Sequence, residues 1–259
     1  MSEVDVVVIG AGAAGLAAGR TLERAGISFR VLEAKDRIGG RAFTDSVTFD
    51  GLPFDHGCHW LHSASLNPLR EAADRLGFGY RLQQHWGPRR LAIDGTMADP
   101  ATIASLTDAF DQVDAAIAAI AAEQRDVALS AALSMDDPWR PVIANGLSLA
   151  SSADVEETSL LDTAFYRNTD EDYPVEQGLG TLIATIAEGL PVTLSTPVAA
   201  IDWSGRRPLV RTTAGDLSAR VVILTVSTNV IADGAIRLTP ELPVAIGEAL
   251  GHCRLGHAE

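Results

Sequence analysis

The chain has 259 residues, of which 34 are acidic and 20 are basic, so its formal charge at pH 7 is −14. An apolar fraction of 47% and a charged fraction of 21% are typical of a globular protein and exclude an intrinsically disordered chain. The acidic excess argues against nucleic acid or an anionic membrane as a partner, because both bind basic patches. Cys58 and Cys253 are too few for a disulfide framework, which favours a cytoplasmic protein.

The first forty residues predict a β-α-β unit. Val4–Ile9 is an apolar, β-branched run typical of a buried parallel strand. Ala14–Ala25 has apolar residues at helical spacing, and Gly26 ends that helix. Ser28–Leu32 predicts a second strand that ends at Glu33.

The middle of the chain predicts helices, and strands return towards its end. Helices are expected over Pro68–Leu76, from Asp99-Pro100 to Ile120, after Asp137-Pro138, over Gly178–Gly189 and over Pro240–Leu250. Strands are expected over Val192–Leu194, Val198–Trp203, Leu209–Thr213 and Val221–Thr225, with a hairpin over Arg89–Met97 that turns at Asp94-Gly95. The pattern predicts an α/β dinucleotide-binding domain interrupted by a mostly helical insertion.

Three glycines between the first strand and helix form a G-x-G-x-x-G sequence. Gly10 permits a tight turn, Gly12 leaves room for a pyrophosphate, and Gly15 lets the helix pack close to the sheet. Free N–H groups and the helix dipole then attract the pyrophosphate. Glu33 would accept hydrogen bonds from an adenosine ribose and repel a 2′-phosphate. FAD and NAD share this fingerprint, and the alternative is a glycine-rich turn in an unrelated α/β protein.

A cationic glycine loop follows the second strand. Two glycines, Gly39 and Gly40, lie between Arg37 and Arg41. The Arg41 guanidinium is suited to neutralise phosphate charge and to donate two parallel hydrogen bonds. The alternative is a solvated basic loop.

Together, the runs Val8–Leu16, Val31–Ala34 and Arg37–Arg41 resemble the N-terminal signature of flavin-containing amine oxidases, which include monoamine, polyamine and L-amino-acid oxidases. Further segments are similar to other parts of these proteins: Phe54–His62 to the segment beside the isoalloxazine ring, Gln177–Gly180 to a glycine-rich helix start, Thr196–Val198 to the strand that meets the adenine, Val222–Val226 to the next strand of the FAD domain, and Ile236–Pro243 to the return into the substrate domain.

The resemblance implies an FAD-binding Rossmann-like domain with a mostly helical substrate-domain insertion. It divides the chain into a first FAD-binding segment (1–79), a helical substrate segment (80–172), a second FAD-binding segment (173–232) and a return into the substrate domain (233–259). It implies oxidation of a small-molecule amine, with hydride transfer to flavin N5 and dioxygen as acceptor. The residues that it places at FAD are Gly10, Ala11, Gly12, Ala14, Gly15, Glu33, Ala34, Arg37, Gly39, Gly40, Arg41, Gly57, Cys58, His59, Trp60, Val198 and Thr225.

The sequence departs from this family in length. The later part of family members usually carries a lysine near flavin N5, whereas the only lysine here, Lys35, follows the second strand. We therefore expect little activity from this chain alone, and either a homo-oligomer or a complementary chain that supplies the C-terminal part. Two alternatives remain open: a flavin-binding subunit without independent activity, and a carotenoid-desaturase-like flavoenzyme.

No metal site is expected from the sequence. His56, His59 and His62 are evenly spaced, but Cys58 is the sole acidic or cysteine residue near them at ligand spacing. We expect these histidines to be polar loop residues.

Overall fold

The computed structural model of this chain describes residues 2–81, 90–253 and 255–256. These residues form two compact units. One contains the described residues within Met1–Gln83 and Thr169–Leu255, and the other contains those within Gln84–Asn168 and Gly256–Glu259. Arg89, the first residue of the predicted hairpin, lies outside the described residues.

The strands and helices follow one another in the order expected of a mixed α/β chain. The strands are β1 (Ser2–Ile9), β2 (Phe29–Leu32), β3 (Thr44–Asp45), β4 (Phe54–Asp55), β5 (Trp60–Leu61), β6 (Ala92–Ile93), β7 (Thr96–Met97), β8 (Tyr173–Pro174), β9 (Val192–Thr193), β10 (Val198–Asp202), β11 (Leu209–Thr212), β12 (Gly215–Leu224) and β13 (Arg237–Thr239). The α-helices are α1 (Ala13–Arg24), α2 (Pro68–Leu76), α3 (Pro100–Ala122), α4 (Arg140–Ser151), α5 (Leu160–Phe165), α6 (Leu179–Ile186), α7 (Thr228–Ala232) and α8 (Val244–His252), and a 3₁₀ helix covers Leu129–Ala132.

A mixed seven-stranded sheet forms the centre of the first unit, in the order β13-β10-β11-β12-β1-β2-β9. β1 pairs in parallel with β2 on one side and with β12 on the other, so that Val8 lies between Val31 and Ile223. The parallel strand expected at the end of β12 is therefore confirmed. That strand is longer than predicted, because its first residues pair antiparallel with β11 from Gly215 onwards.

The two faces of the sheet bury alternate residues of β1. Val6 and Val8 pack with Leu16 of α1 and Ile183 of α6, whereas Val7 belongs to a cluster on the opposite face. Because successive side chains of a strand point to opposite faces, an unbroken apolar run is what a strand covered on both sides requires. The covered sheet holds the carboxyl end of β1 in a fixed position.

The part of the second unit that the structure describes is mostly helical and contains the hairpin of β6 and β7. The hairpin turns at Asp94 and Gly95, which have φ values of +49° and +77°. Asp99 caps α3 by accepting a hydrogen bond from the Thr102 N–H at 2.7 Å. The apolar stripe of α3 is buried in a core with the 3₁₀ helix and α5, as its spacing predicts. None of the helices in the described part of the chain is long and apolar enough to cross a bilayer.

Candidate functional site

The loop between β1 and α1 folds the G-x-G-x-x-G sequence into a tight turn. Gly10 has a φ of +105°, in the left-handed region that favours glycine. A Cβ atom on Gly15 would overlap the carbonyl oxygen of Gly10, so α1 can pack against this loop only without a side chain there. The fold itself therefore requires glycine at both positions.

Gly12 has neither the positive φ of Gly10 nor the steric overlap of Gly15. Its backbone is extended, with φ −81° and ψ −178°, a conformation open to any residue. The nearest atom to a Cβ placed there would be the Cα of Gly40, at 3.9 Å, an ordinary contact. Gly12 also begins α1 without a side-chain cap. The open space beside the first turn of α1 fits an anionic group such as a pyrophosphate.

The carboxylate of Glu33 is buried at the end of β2, beside the same loop. Its Oε2 accepts a hydrogen bond from the Ala11 N–H at 2.8 Å, and its Oε1 accepts one from the Lys35 N–H at 2.9 Å. These bonds fix the carboxylate, and each oxygen keeps a lone pair for a further donor. The Thr196 N–H donates to the Glu33 carbonyl at 2.8 Å, which brings the start of β10 alongside. The arrangement fits a ribose diol.

The predicted cationic loop packs on the glycine turn. The Gly39 N–H donates to the Ala11 carbonyl at 2.9 Å, and Gly39 pairs with Gly12 as an isolated β-bridge. A Cβ on Gly39 would overlap the Ala42 carbonyl oxygen, and Gly39 has a φ of +102°. The two loops are therefore joined through backbone atoms at the residues expected to face the pyrophosphate.

The two arginines of this loop differ in their surroundings. The Arg37 guanidinium lies over the Phe43 ring, 4.4 Å from its centroid. The Arg41 residue is exposed and forms no ion pair with any residue that the structure describes. A guanidinium in such a setting can pair with a phosphate group.

The segment Gly57–Trp60 contacts the same loop at the Arg41 carbonyl. A Cβ on Gly57 would lie 2.6 Å from the Arg41 carbonyl oxygen, and the Cys58 Sγ is 3.6 Å from that oxygen. The His59 and Trp60 rings lie 4.3 Å apart between centroids. Partial burial raises the pKa of the Cys58 thiol.

Two residues that are not among the predicted FAD contacts hold the segment Gly57–Trp60 in place. Asp55, two residues before Gly57, accepts hydrogen bonds from the Leu179 N–H at 2.8 Å and the Gly180 N–H at 3.1 Å. Thr44 accepts from the Thr181 N–H at 2.9 Å. Together they satisfy the first N–H groups of α6, whose own N-cap, Gly178, has no side chain.

The glycine-rich helix start identified in the sequence is explained by this contact. Cβ atoms on Gly178 and Gly180 would overlap Thr44, so β3 approaches α6 only because both positions lack side chains. Neither Asp55 nor Thr44 carries a local sequence signal, because their partners lie more than a hundred residues further along the chain.

Two predicted site residues come from the second half of the chain. Thr225, directly after β12, lies against the glycine loop, with its Oγ1 2.9 Å from the Ile9 carbonyl oxygen. Val198, at the start of β10, is buried in the same cluster as Ile9 and Leu32.

Ala14, in the first turn of α1, and Ala34, after β2, are both exposed. The structure thus brings the glycine turn, Glu33 and Thr225 together at the carboxyl ends of β1, β2 and β12, whereas Val198 lies at the start of β10.

The histidines of this region form no metal centre in the described part of the chain, where no three His, Cys, Asp or Glu side chains come together as a ligand set. His62 contacts Asp172, with Nδ1 2.8 Å from Oδ1.

Residues 13–144 and 122–258 match the sequence profile of the family described as flavin containing amine oxidoreductase. Human lysine-specific histone demethylase 2 is 29% identical over 92% of this chain and 32% of its own length. Polyamine oxidase 4 from Oryza sativa subsp. japonica is 28% identical over 98% of this chain and 58% of its own length. The solved structure of wild-type putrescine oxidase bound to putrescine matches with a TM-score of 0.74 and 25% identity, over 98% of this chain and 64% of that chain. The chain thus spans from 32% to 64% of the length of these relatives.

Proposed function

Since the chain belongs to the flavin-containing amine oxidoreductase family, we propose that it binds FAD along the loop between β1 and α1 and takes part in the oxidation of an amine. Membership confirms the family expected from the sequence, and with it the FAD cofactor. The observation that carries the proposal is Gly12, a glycine that the folded chain does not need and that a bound pyrophosphate does.

In this proposal each part of the site has one task. The first turn of α1 binds the pyrophosphate and Arg41 neutralises its charge. Glu33 accepts hydrogen bonds from the adenosine ribose, and the segment Gly57–Trp60 lies near the flavin. When bound, FAD supplies a ring that accepts hydride from the carbon bearing the amine, with dioxygen as the final acceptor. No residue is assigned as a catalytic acid or base.

The domain assignment is part of the same proposal. Segments 1–79 and 173–232 form a Rossmann-like FAD domain, and segment 80–172 contributes to a substrate domain. Segment 233–259 is assigned to the return into that domain, although its described residues up to Leu255 belong to the first unit, where β13 pairs with β10. The bond from the Thr196 N–H to the Glu33 carbonyl joins the third segment to the first and supports their grouping.

The cellular environment and the partners are proposed from the composition of the chain. Cys58 and Cys253 are free thiols, which is typical of a reducing compartment, so we propose a cytoplasmic protein. Its partners are a small-molecule amine, dioxygen, and either a second copy of the chain or a complementary chain.

The cofactor is tested by purifying the protein and identifying any bound chromophore. We expect a yellow protein from which acid releases FAD and not FMN. A colourless protein that binds NAD with ordinary affinity would contradict the proposal. Peroxide release on addition of an amine panel then separates an oxidase from a flavin-binding subunit without activity of its own.

Glu33 provides a sharper test of the nucleotide site. Glu33→Ala removes the acceptor for two backbone N–H groups and for the ribose, so we expect FAD binding to weaken by about 1–3 kcal/mol. The measurement is a flavin titration of the apoprotein. Glu241→Ala, at an exposed position in the same unit, is the matched control. Equal affinities of the two variants would show that the ribose lies elsewhere.

A further inference from the structure

Thr225 makes three close approaches to the backbone that precedes α1. Its N–H donates to the Ile9 carbonyl at 2.9 Å. Its Oγ1 lies 2.9 Å from the same Ile9 oxygen and 3.1 Å from the Gly10 oxygen. The hydroxyl has a single proton, and both of its near neighbours are carbonyl oxygens. The Thr225 hydroxyl therefore shares its proton between two backbone carbonyls, where β1 ends and the glycine loop begins.

The hydroxyl also fills the space that two glycines leave. Cβ atoms on Gly10 and on Gly15 would each lie 2.8 Å from the Thr225 Oγ1. The Gly10 carbonyl oxygen is the atom that a Cβ on Gly15 would overlap. The carbonyl of Gly10 is thus enclosed by the Thr225 hydroxyl and by the bare Cα of Gly15.

The residue that follows Gly10 is fixed by two further bonds. The Ala11 N–H donates to Glu33, and the Ala11 carbonyl accepts from the Gly39 N–H. These two bonds come from the β2 side of the loop, whereas Thr225 approaches from β12. Without the Thr225 hydroxyl, the Gly10 carbonyl would lose the donor that approaches it from the β12 side.

We propose that Thr225 is a positioning residue for the nucleotide: its hydroxyl fixes the Gly10 carbonyl, so that Gly12 and the first turn of α1 keep the shape that receives the pyrophosphate. In this role Thr225 acts through the loop rather than as an FAD contact, because its hydroxyl is directed at protein carbonyls. The inference rests on the proposed function, since it concerns the binding of FAD.

The test compares two substitutions that separate the hydroxyl from the methyl group. Thr225→Val keeps the shape and removes the donor, whereas Thr225→Ser keeps the donor. We expect FAD to bind about tenfold more weakly to the valine variant and within about twofold of the unsubstituted protein to the serine variant. Thr212→Val is the matched control, because it removes a hydroxyl that donates to the Gly215 carbonyl at 2.6 Å in the β11–β12 turn. It should leave FAD affinity unchanged.

Amide hydrogen exchange of the apoprotein supplies a second measurement that does not depend on FAD. Residues 10–16 should exchange faster in Thr225→Val than in Thr225→Ser or Thr212→Val. If the valine variant does not fold, Thr225→Ala is compared with Thr225→Ser instead.

The outcomes separate this inference from the proposed function. Unchanged exchange and FAD affinity in the valine variant would overturn the role of Thr225, as would equal losses in the valine and serine variants. If the unsubstituted protein binds no FAD, the proposed function fails and the nucleotide role of Thr225 fails with it. Exchange in the valine variant then still reports whether Thr225 holds the loop.

Discussion

Gly10, Gly12 and Gly15 belong to one short loop, yet the fold constrains them in different ways. The sequence pattern predicts all three, because its spacing between a strand and a helix is specific. It cannot separate the glycines that the chain needs from the one that a ligand needs. That distinction depends on φ at Gly10, on the carbonyl beneath Gly15 and on the open space at Gly12, which are properties of the folded backbone.

At Gly12 we expect a loss of binding without a loss of folding. Gly12→Val adds a side chain in the space assigned to the pyrophosphate, so FAD binding should be abolished while the melting temperature stays within a few degrees. Gly15→Ala should instead reduce the stability of the fold, by about 1–3 kcal/mol in the apoprotein, because its Cβ would overlap the Gly10 carbonyl oxygen. Thermal unfolding and flavin titration of both variants check this. Normal flavin occupancy in Gly12→Val would show that the glycine loop is not the nucleotide site.

At the scale of elements, the predictable boundaries are those with local signals. Pro68–Leu76 is predicted with both ends correct, because Asn67 caps the helix, Pro68 begins it and Gly77 ends it in the left-handed conformation. The pairs β3–β4 and β5–β8 are not predicted, since two residues in each strand are too few to show alternation. The cap of α6 is not predictable either, because Asp55 precedes Leu179 by 124 residues.

The distant cap of α6 should be measurable in stability. Asp55→Ala removes the acceptor for two helical N–H groups, and we expect the free energy of unfolding to fall by about 2 kcal/mol. Asp55→Asn should cost less, because one amide oxygen still accepts. Asp108→Ala, at an exposed position on α3, is the control and should change the free energy of unfolding by less than about 0.5 kcal/mol. Urea unfolding of the three variants gives the comparison. A loss no larger than the control would contradict the capping role.

The turn after β3 should respond to acid. The Thr48 hydroxyl, with the N–H groups of Val47 and Thr48, lowers the pKa of Asp45 from 3.8 to about 2. Because the folded pKa is depressed, the stabilisation is present above pH 3.8 and is lost as the pH falls towards 2. We expect an NMR titration of the Asp45 carboxyl to have its midpoint at about pH 2. Thr48→Val should raise the pKa of Asp45 towards 3.8, whereas Thr48→Ser should not.

At the scale of the whole molecule, the two units have separate cores. The cluster that contains Leu106, Val113 and Leu160 belongs to the second unit, and the clusters around the seven-stranded sheet belong to the first. The sequence predicts the helical character of the middle segment, because apolar residues recur every three or four positions along α3. The proposed nucleotide site lies within the first unit.

FAD should therefore protect the first unit preferentially. At a free FAD concentration of about one hundred times the dissociation constant, binding stabilises the folded state by about 2.7 kcal/mol. We expect the slowest amides of β1 and β12 to exchange about a hundredfold more slowly with FAD than without it. Amides of α3, in the other unit, are the internal reference, measured in the same hydrogen-exchange experiment. Slowing confined to α3 would place the cofactor elsewhere.

The position of β1 between β2 and β12 has a consequence for synthesis of the protein. β2 leaves the ribosome soon after β1, but Thr225 follows Ile9 by 216 residues. The nascent chain therefore carries the complete G-x-G-x-x-G signature long before β12 can pair with it, and one edge of an apolar strand stays open during that interval. Open edges of this kind promote aggregation, and pairing between distant segments is slow. A fragment that ends before Gly215 should be recovered as insoluble material rather than as a small flavin-binding domain.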